Sequence, residues 1–119
     1  MRSGLYIIEF HAGGTEIAKF NAILLDGIIA LFSKDAKSRG TYAFEDDELK
    51  LEIHISGTAL HGGKGSLLAP SGSTIVLKGR AIKSDTAFEA NGKLPGSGSS
   101  CTCSLKLLDP LDPVPELSK

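Results

Sequence analysis

Apolar residues recur at every second position through most of this sequence, and that spacing constrains its fold more than any other feature. In the segment GLYIIEFH, Tyr6, Ile8 and Phe10 share one side of an extended chain. The segment LKLEIHI, residues 49–55, repeats the alternation. A period of two is that of a β-strand, whereas an amphipathic helix repeats about every 3.6 residues. The chain is therefore predicted to be all-β, with one apolar face on most strands.

Turn signals separate the alternating segments. Asp26-Gly27 joins two apolar runs, and a tight hairpin turn needs the positive φ that Gly adopts freely. A second hairpin is expected across Lys83-Ser84-Asp85. About eight short strands at this spacing suit an antiparallel up-and-down meander that closes into a barrel or folds as a sandwich. The barrel is favoured because closure removes unpaired strand edges.

Length and composition indicate one domain. The chain has 119 residues, of which 41% are hydrophobic and 23% charged, and this is enough for one core. We expect a barrel domain at residues 1–109 and an extended, Pro-rich tail at 110–119. The Gly-rich connection at 56–73 has room for at most one helical turn, around Leu67 and Leu68. With no leader-like start and no apolar run of about 18 residues, a cytoplasmic protein without membrane contact is expected.

Four consecutive acids stand between the fourth and fifth predicted strands: Glu45, Asp46, Asp47 and Glu48. The formal net charge of the chain is -1, so removing these four would leave -1 + 4 = +3. One interpretation is a solvated hairpin turn, because Asp is a good turn former and charge resists aggregation. The other is a docking point for a basic partner, which would neutralise four charges that repel each other.

The barrel interior offers a second candidate site. Several positions predicted to face inward are small, namely Ala18, Ala22, Gly79, Ala81 and Ala90. A barrel of this size is either filled by side chains or holds one small apolar ligand. Such a ligand would contact the aromatic residues Tyr6, Phe10, Phe20, Tyr42, Phe44 and Phe88. An ordinary aromatic core remains the alternative.

Signals of catalysis and of metal binding are weak. The three histidines are far apart in the sequence, and HGGKGS lacks the order of a phosphate-binding Walker loop. Cys101 and Cys103 lie on one face of a strand, where they are expected to act as small apolar residues rather than as a disulfide or a metal site. Nothing marks an activated nucleophile, and no basic cluster suits nucleic acid. We therefore expect a non-enzymatic protein with no cofactor, no metal and no direct contact with nucleic acid.

Apolar residues also occur on faces that should meet water. They are Leu5, Ile7, Ile17, Ile23, Val76 and Ile82. Apolar residues on neighbouring strands suggest a patch that a second subunit or the long connection covers. A homodimer is predicted.

The order of these features resembles that of the GrlR family, small negative regulators of bacterial type III secretion. The resemblance is carried by GLYIIEF, DGII, GTYAF, the four acids and LKLEIHI, and it covers roughly the first half of the chain. The Gly-Gly-Asp that often precedes the fourth strand in that family is Ser33-Lys34-Asp35 here, with a shorter spacing to Gly40.

The resemblance implies a lipocalin-like barrel of eight antiparallel strands that forms dimers. It also implies a function, since members of the family bind a helix-turn-helix transcriptional activator and keep it from acting on DNA. An acidic motif is implicated in that contact, and the matching positions here are Glu45, Asp46, Asp47 and Glu48. The expected function is thus sequestration of an activator through this motif. The alternative is a carrier or sensor of a small apolar ligand or lipid inside the barrel.

Overall fold

Ten β-strands and no helix form in the described residues, which in this computed structural model are 3–32, 37–55, 59–61, 67–83, 86–96 and 98–111. The strands are β1 (Gly4–Ala12), β2 (Thr15–Leu25), β3 (Ile28–Phe32), β4 (Lys37–Glu45), β5 (Glu48–His54), β6 (Leu60–His61), β7 (Leu67–Ala69), β8 (Thr74–Lys83), β9 (Ala87–Lys93) and β10 (Ser100–Pro110). The described residues include no helix that could span a membrane.

Eight of the strands close into one antiparallel barrel. Their order around it is β1-β10-β9-β8-β5-β4-β3-β2, so each barrel strand pairs with the barrel strands before and after it in the chain. Closure occurs where β1 meets β10, with Ile8 opposite Leu105. The predicted all-β, eight-stranded antiparallel up-and-down barrel is therefore confirmed, as is the predicted pairing of β8 with β9.

Three two-residue turns join consecutive strands of the barrel, and both residues of each turn have positive φ. Gly13-Gly14 joins β1 to β2, and Asp26-Gly27 joins β2 to β3 as predicted. Asp46-Asp47 joins β4 to β5. Positive φ at both positions matches the twist of the flanking strands and normally selects Gly, Asn or Asp. The third turn is the one without a glycine.

The two ends of the barrel differ. The turns at 26–27 and 46–47 and the last residues of β8 and β10 lie at one end, called here the acidic end. At the other end, β6 and β7 form a two-stranded sheet whose Leu60, Leu68 and Ala69 are buried in the core. The Gly96 N–H donates a hydrogen bond of 3.0 Å to the Leu68 carbonyl oxygen. The small sheet therefore covers the end opposite to the acidic turn.

The one helical turn for which the sequence left room around Leu67 and Leu68 does not form. Both residues belong to β7, because their backbone pairs with β6 and places the Leu68 side chain in the core. The Gly-rich stretch 62–66, which includes most of HGGKGS, lies outside the described residues, as do Ser33–Asp35, Ser84 and Asp85.

Inward-facing residues of the strands form one core, which contains the two cysteines and the largest buried side chains Tyr6, Phe10 and Phe88. Phe10 and Phe20 meet edge to face with ring centroids 5.9 Å apart. Tyr6 lies 6.4 Å from Phe88, whose ring is 5.6 Å from that of Phe44. Alternation along the sequence thus predicts the core correctly over most of the barrel.

Inward-facing glycines allow close approach of neighbouring strands. A Cβ added at Gly40 would collide with the Glu52 carbonyl oxygen, and one added at Gly79 would collide with the Glu89 carbonyl oxygen. These positions are glycine because the backbone of the adjacent strand occupies the space of a side chain. Gly79 therefore sets the strand spacing and is not evidence of an empty interior.

Three details depart from the sequence prediction. Ala81 is exposed, because β8 continues beyond Gly79, the last residue that pairs with β5. Ile17, expected to be solvent-facing, packs against the core at a bulge where Phe10 pairs with Ala18 and His11 with Glu16. Strand β10 ends at Pro110, one residue beyond the predicted domain boundary, and residues 112–119 of the predicted tail lie outside the described part.

Candidate partner-binding site at the acidic turn

The four acids form the complete tip of the hairpin between β4 and β5. Glu45 and Glu48 are paired across the hairpin, and Asp46 and Asp47 form the turn with φ values of 52° and 67°. Left-handed backbone costs an ordinary L-residue about 1–2 kcal/mol, and Asp tolerates it better than most. The hairpin therefore combines two unfavourable features: the like charges of Glu45 and Glu48 face each other, and Asp46 and Asp47 hold left-handed backbone without being glycine. The stability of the hairpin alone does not account for this choice of residues.

All four side chains are exposed to solvent. Within the part of the chain that the structure describes, none of them has a salt bridge or a side-chain hydrogen bond. The site is therefore a solvated negative surface whose carboxylates are free to meet an incoming cation.

Two cations border this surface, and sequence analysis did not single them out. Lys78 and Arg80 of β8 line an open depression of about 380 Å³ together with Asp46, Asp47, Glu48 and residues of β9. Glu89 also lines it, so the four carboxylates and two cations give a formal charge of -4 + 2 = -2. Only the pairing of β5 with β8 brings Lys78 and Arg80 there, which explains why local sequence spacing gave no signal.

The predicted ligand-contacting aromatics do not form one continuous lining. Tyr6, Phe10, Phe20 and Phe88 are buried in the core, and Tyr42 is partly buried. Phe44 is 38% exposed at the acidic end, next to Glu45 in sequence. An aromatic core accounts for the ring contacts, and ligand binding inside the barrel stays a prediction.

A second open depression, of about 710 Å³, lies on the outer surface of β9 and β10 near the Gly13-Gly14 turn. Its polar lining includes His11, Asn91 and Thr102, and the Thr102 hydroxyl donates a 2.9 Å hydrogen bond to Asn91 Oδ1. Across the described ranges, no group of three His, Cys, Asp or Glu side chains could hold a metal ion.

Cys101 and Cys103 are free thiols that face the core, as the sequence predicts. Burial raises the pKa of the Cys101 thiol, with a hydrogen bond to the Gly92 backbone acting in the opposite direction. Burial raises the pKa of Cys103 more strongly, and the neighbouring Cys101 adds to the effect. Both groups therefore stay protonated near neutral pH, which makes them poor nucleophiles and poor metal ligands.

Apolar residues on the outer surface of β1, β2 and β3 form a side patch that is interrupted by the exposed Asn21, which lies between Ile7 and Phe32. Strand register places Leu5 beside Ile23 and Ile23 beside Ala30, with Ile7 and Phe32 one row away. Ile23 is 40% exposed, and the other four are partly buried. The side patch contains Leu5, Ile7 and Ile23 of the predicted dimer surface, whereas Val76 and Ile82 lie on β8 elsewhere on the barrel.

Comparison with models of known protein families gives no match, and no curated protein matches the chain. Strand pairing defines the fold class, a closed, eight-stranded antiparallel barrel. Because one fold can support many functions, the function has to be argued from the surfaces of this barrel.

Proposed function

We propose that this protein is a non-enzymatic, cytoplasmic negative regulator that binds a helix-turn-helix transcriptional activator through Glu45, Asp46, Asp47 and Glu48. The observation that carries the proposal is the acidic turn itself, where four exposed carboxylates have no ion partner among the described residues and the two central ones, Asp46 and Asp47, have left-handed backbone. Strained backbone that persists in a folded protein is more common at functional sites than elsewhere. The resemblance to the GrlR family supports the choice of partner.

The mechanism is competition for a basic surface. A helix-turn-helix protein needs Lys and Arg to contact DNA phosphates, and its recognition helix enters the major groove. An exposed carboxylate cluster offers the same cations an alternative partner, and occupation of that surface prevents DNA binding. Association through exposed charges is fast and weakens as salt rises, since a Debye length of about 8 Å screens the attraction at 0.15 M.

The proposal is tested by capture from lysate of the source organism, with mass spectrometry of the retained proteins. The variant carries Glu45→Gln, Asp46→Asn, Asp47→Asn and Glu48→Gln, which removes charge while keeping side-chain size. A control carries Glu16→Gln, an exposed acid at the opposite end of the barrel. Native protein and control should retain a helix-turn-helix protein that the turn variant loses. Equal retention by the turn variant would rule out the acidic turn as the site.

We further propose that the regulator is a homodimer joined through the side patch. The patch carries apolar residues on three adjacent strands, with Asn21 as a polar residue among them, and a two-fold axis brings one copy against the same surface of another. Changing Ile23 to Lys adds a charge at the centre of this interface and should yield monomers in sedimentation at micromolar concentration. Val76→Lys, on β8, is the control because Val76 has the same exposure of 40%. A native protein that sediments as a monomer contradicts the proposal.

A further inference from the structure

The acidic end of the barrel is surrounded by exposed apolar side chains. Six of the nine large hydrophobic residues that are exposed in the described chain lie there: Leu25, Ile28, Phe44, Ile82, Leu108 and Leu111. We call these six residues the apolar rim. A protein surface normally carries such residues singly, so their concentration at one end marks an interaction surface.

The acidic turn is situated within this rim. Strand order places β3, with Ile28, on one side of the β4–β5 hairpin and β8, with Ile82, on the other. Ile28 is 55% and Ile82 is 61% exposed. Phe44 precedes the acids directly, and its ring rests against Phe88 of the core at 5.6 Å. One ligand surface can therefore contact carboxylates and apolar side chains together.

We propose that the apolar rim binds the apolar face of a basic amphipathic helix whose Lys and Arg residues meet the acidic turn. The inference rests on the proposed function and deepens it, since it identifies the kind of segment that the partner presents. An amphipathic helix repeats apolar residues every three to four positions and leaves the neighbouring positions for charge. A surface on which Ile and Phe side chains flank a group of carboxylates matches that arrangement.

Charge distinguishes this occupant from two others. A second copy docked end to end would bring two acidic turns together, and like charges oppose such a contact. A membrane surface carries anionic lipids, which repel the same four carboxylates. A basic helix is the occupant that gains from both the apolar and the acidic parts of the surface.

The direct test uses a synthetic 18-residue helical peptide of Leu and Lys with apolar residues at i, i+3, i+4 and i+7, labelled for fluorescence anisotropy. A scrambled peptide of identical composition and charge is the comparison. The rim variant carries Ile28→Ser and Ile82→Ser, and both side chains are exposed enough to change without disturbing the core. Val76→Ser, on the outer face of β8, is the matched control. Circular dichroism melting checks that each variant is folded.

We expect the patterned peptide to bind native protein at least about tenfold more tightly than the scrambled one, a difference of about 1.4 kcal/mol. The rim variant should lose most of this preference, and Val76→Ser should keep it. Equal binding of the two peptides would overturn the inference, and so would a preference unaffected by the rim changes.

Two additional readouts separate this inference from the proposed function. If capture from lysate depends on the four acids but the rim variant retains as much activator as native protein, sequestration stands and the rim inference fails. If the peptide preference depends on the rim while no activator is captured, the rim inference stands and the proposed partner is wrong. Binding of native protein to anionic vesicles, or self-association abolished by the rim changes, would overturn the choice of a basic helix.

Discussion

Glu45 and Glu48 are cross-strand partners, so the hairpin between β4 and β5 closes on two like charges. Directly opposed like charges destabilise an antiparallel pair, whereas opposite charges in the same position contribute about 0.2–1 kcal/mol. The repulsion acts in the free protein and is relieved when a cation binds. This pair therefore links the stability of the hairpin to its proposed role.

Changing Glu45 to Lys should convert the repulsive pair into an attractive one. We expect the free energy of unfolding to rise by about 0.2–1 kcal/mol at low salt, measured by urea unfolding at an unchanged m-value. The gain should shrink in 0.5 M NaCl. The control is the same change in a Glu48→Gln background, because a double-mutant cycle isolates the pairwise energy. A gain of the same size in that background would show that the Glu45–Glu48 pair is not its source.

The second turn position offers a matched comparison between Asp47 and Gly27. Both residues follow an Asp with positive φ, at 67° for Asp47 and 81° for Gly27. Asp47→Gly should raise the free energy of unfolding by about 1 kcal/mol, because glycine adopts this backbone without a Cβ penalty. Gly27→Ala should lower the free energy of unfolding by a similar amount, because a φ of 81° is unfavourable for a residue with a Cβ. No steric clash adds to this loss, since the new Cβ would make only an ordinary contact, 3.6 Å from the Tyr42 carbonyl oxygen.

Thermal melting or urea unfolding of both variants checks these signs. A loss of stability in Asp47→Gly would mean that the Asp47 side chain stabilises the turn in the free protein. The acidic residues would then be explained by turn formation alone, and the argument from backbone strain for a binding site would lose its basis.

Most of the barrel was predictable because one physical signal repeats along the chain. Period-two alternation identifies the inward face of each long strand, and Asp26-Gly27 identifies its hairpin from the sequence. The small β6–β7 sheet was missed because its strands have two and three residues, which is too short for a period to be read. Their pairing depends on tertiary contacts with the core.

The site was predictable only in part. The consecutive acids can be read directly from the sequence. Lys78 and Arg80 reach the same surface only because β5 pairs with β8, and the long Gly-rich connection at 56–73 separates these two strands in the sequence. The apolar rim likewise joins residues from five strands. Phe44 illustrates the limit, because alternation assigns it correctly to the inward face but gives no indication that this face ends at solvent.

Gly79 should be intolerant of any side chain. A Cβ at this position would collide with the Glu89 carbonyl oxygen, so Gly79→Ala must push β8 away from β9. We expect a loss of about 3 kcal/mol in the free energy of unfolding, the upper part of the range for overpacking. Gly14→Ala is the control, because its Cβ would meet no atom within 4 Å and only its φ of 81° is unfavourable. Equal losses in the two variants would contradict the close approach of the strands at Gly79.

The buried thiols predict that stability falls in alkaline solution. Burial raises the pKa of both Cys101 and Cys103 in the folded protein, whereas an unfolded thiol has a pKa of about 8.5. Above that pH the unfolded chain binds fewer protons than the native one, so the free energy of unfolding must decrease as pH rises. Each thiol contributes a slope of up to about 1.4 kcal/mol per pH unit until its folded pKa is reached.

Urea unfolding between pH 7 and 10 measures this slope. Cys103→Ala should be less stable at pH 7, because it leaves a small cavity, and should show a weaker dependence on pH between 8.5 and 10. The same burial predicts that iodoacetamide labels neither thiol in the folded protein at pH 8 and labels both in urea. Rapid labelling of Cys103 in the native state, where the residue has no exposed surface, would contradict its position inside the barrel.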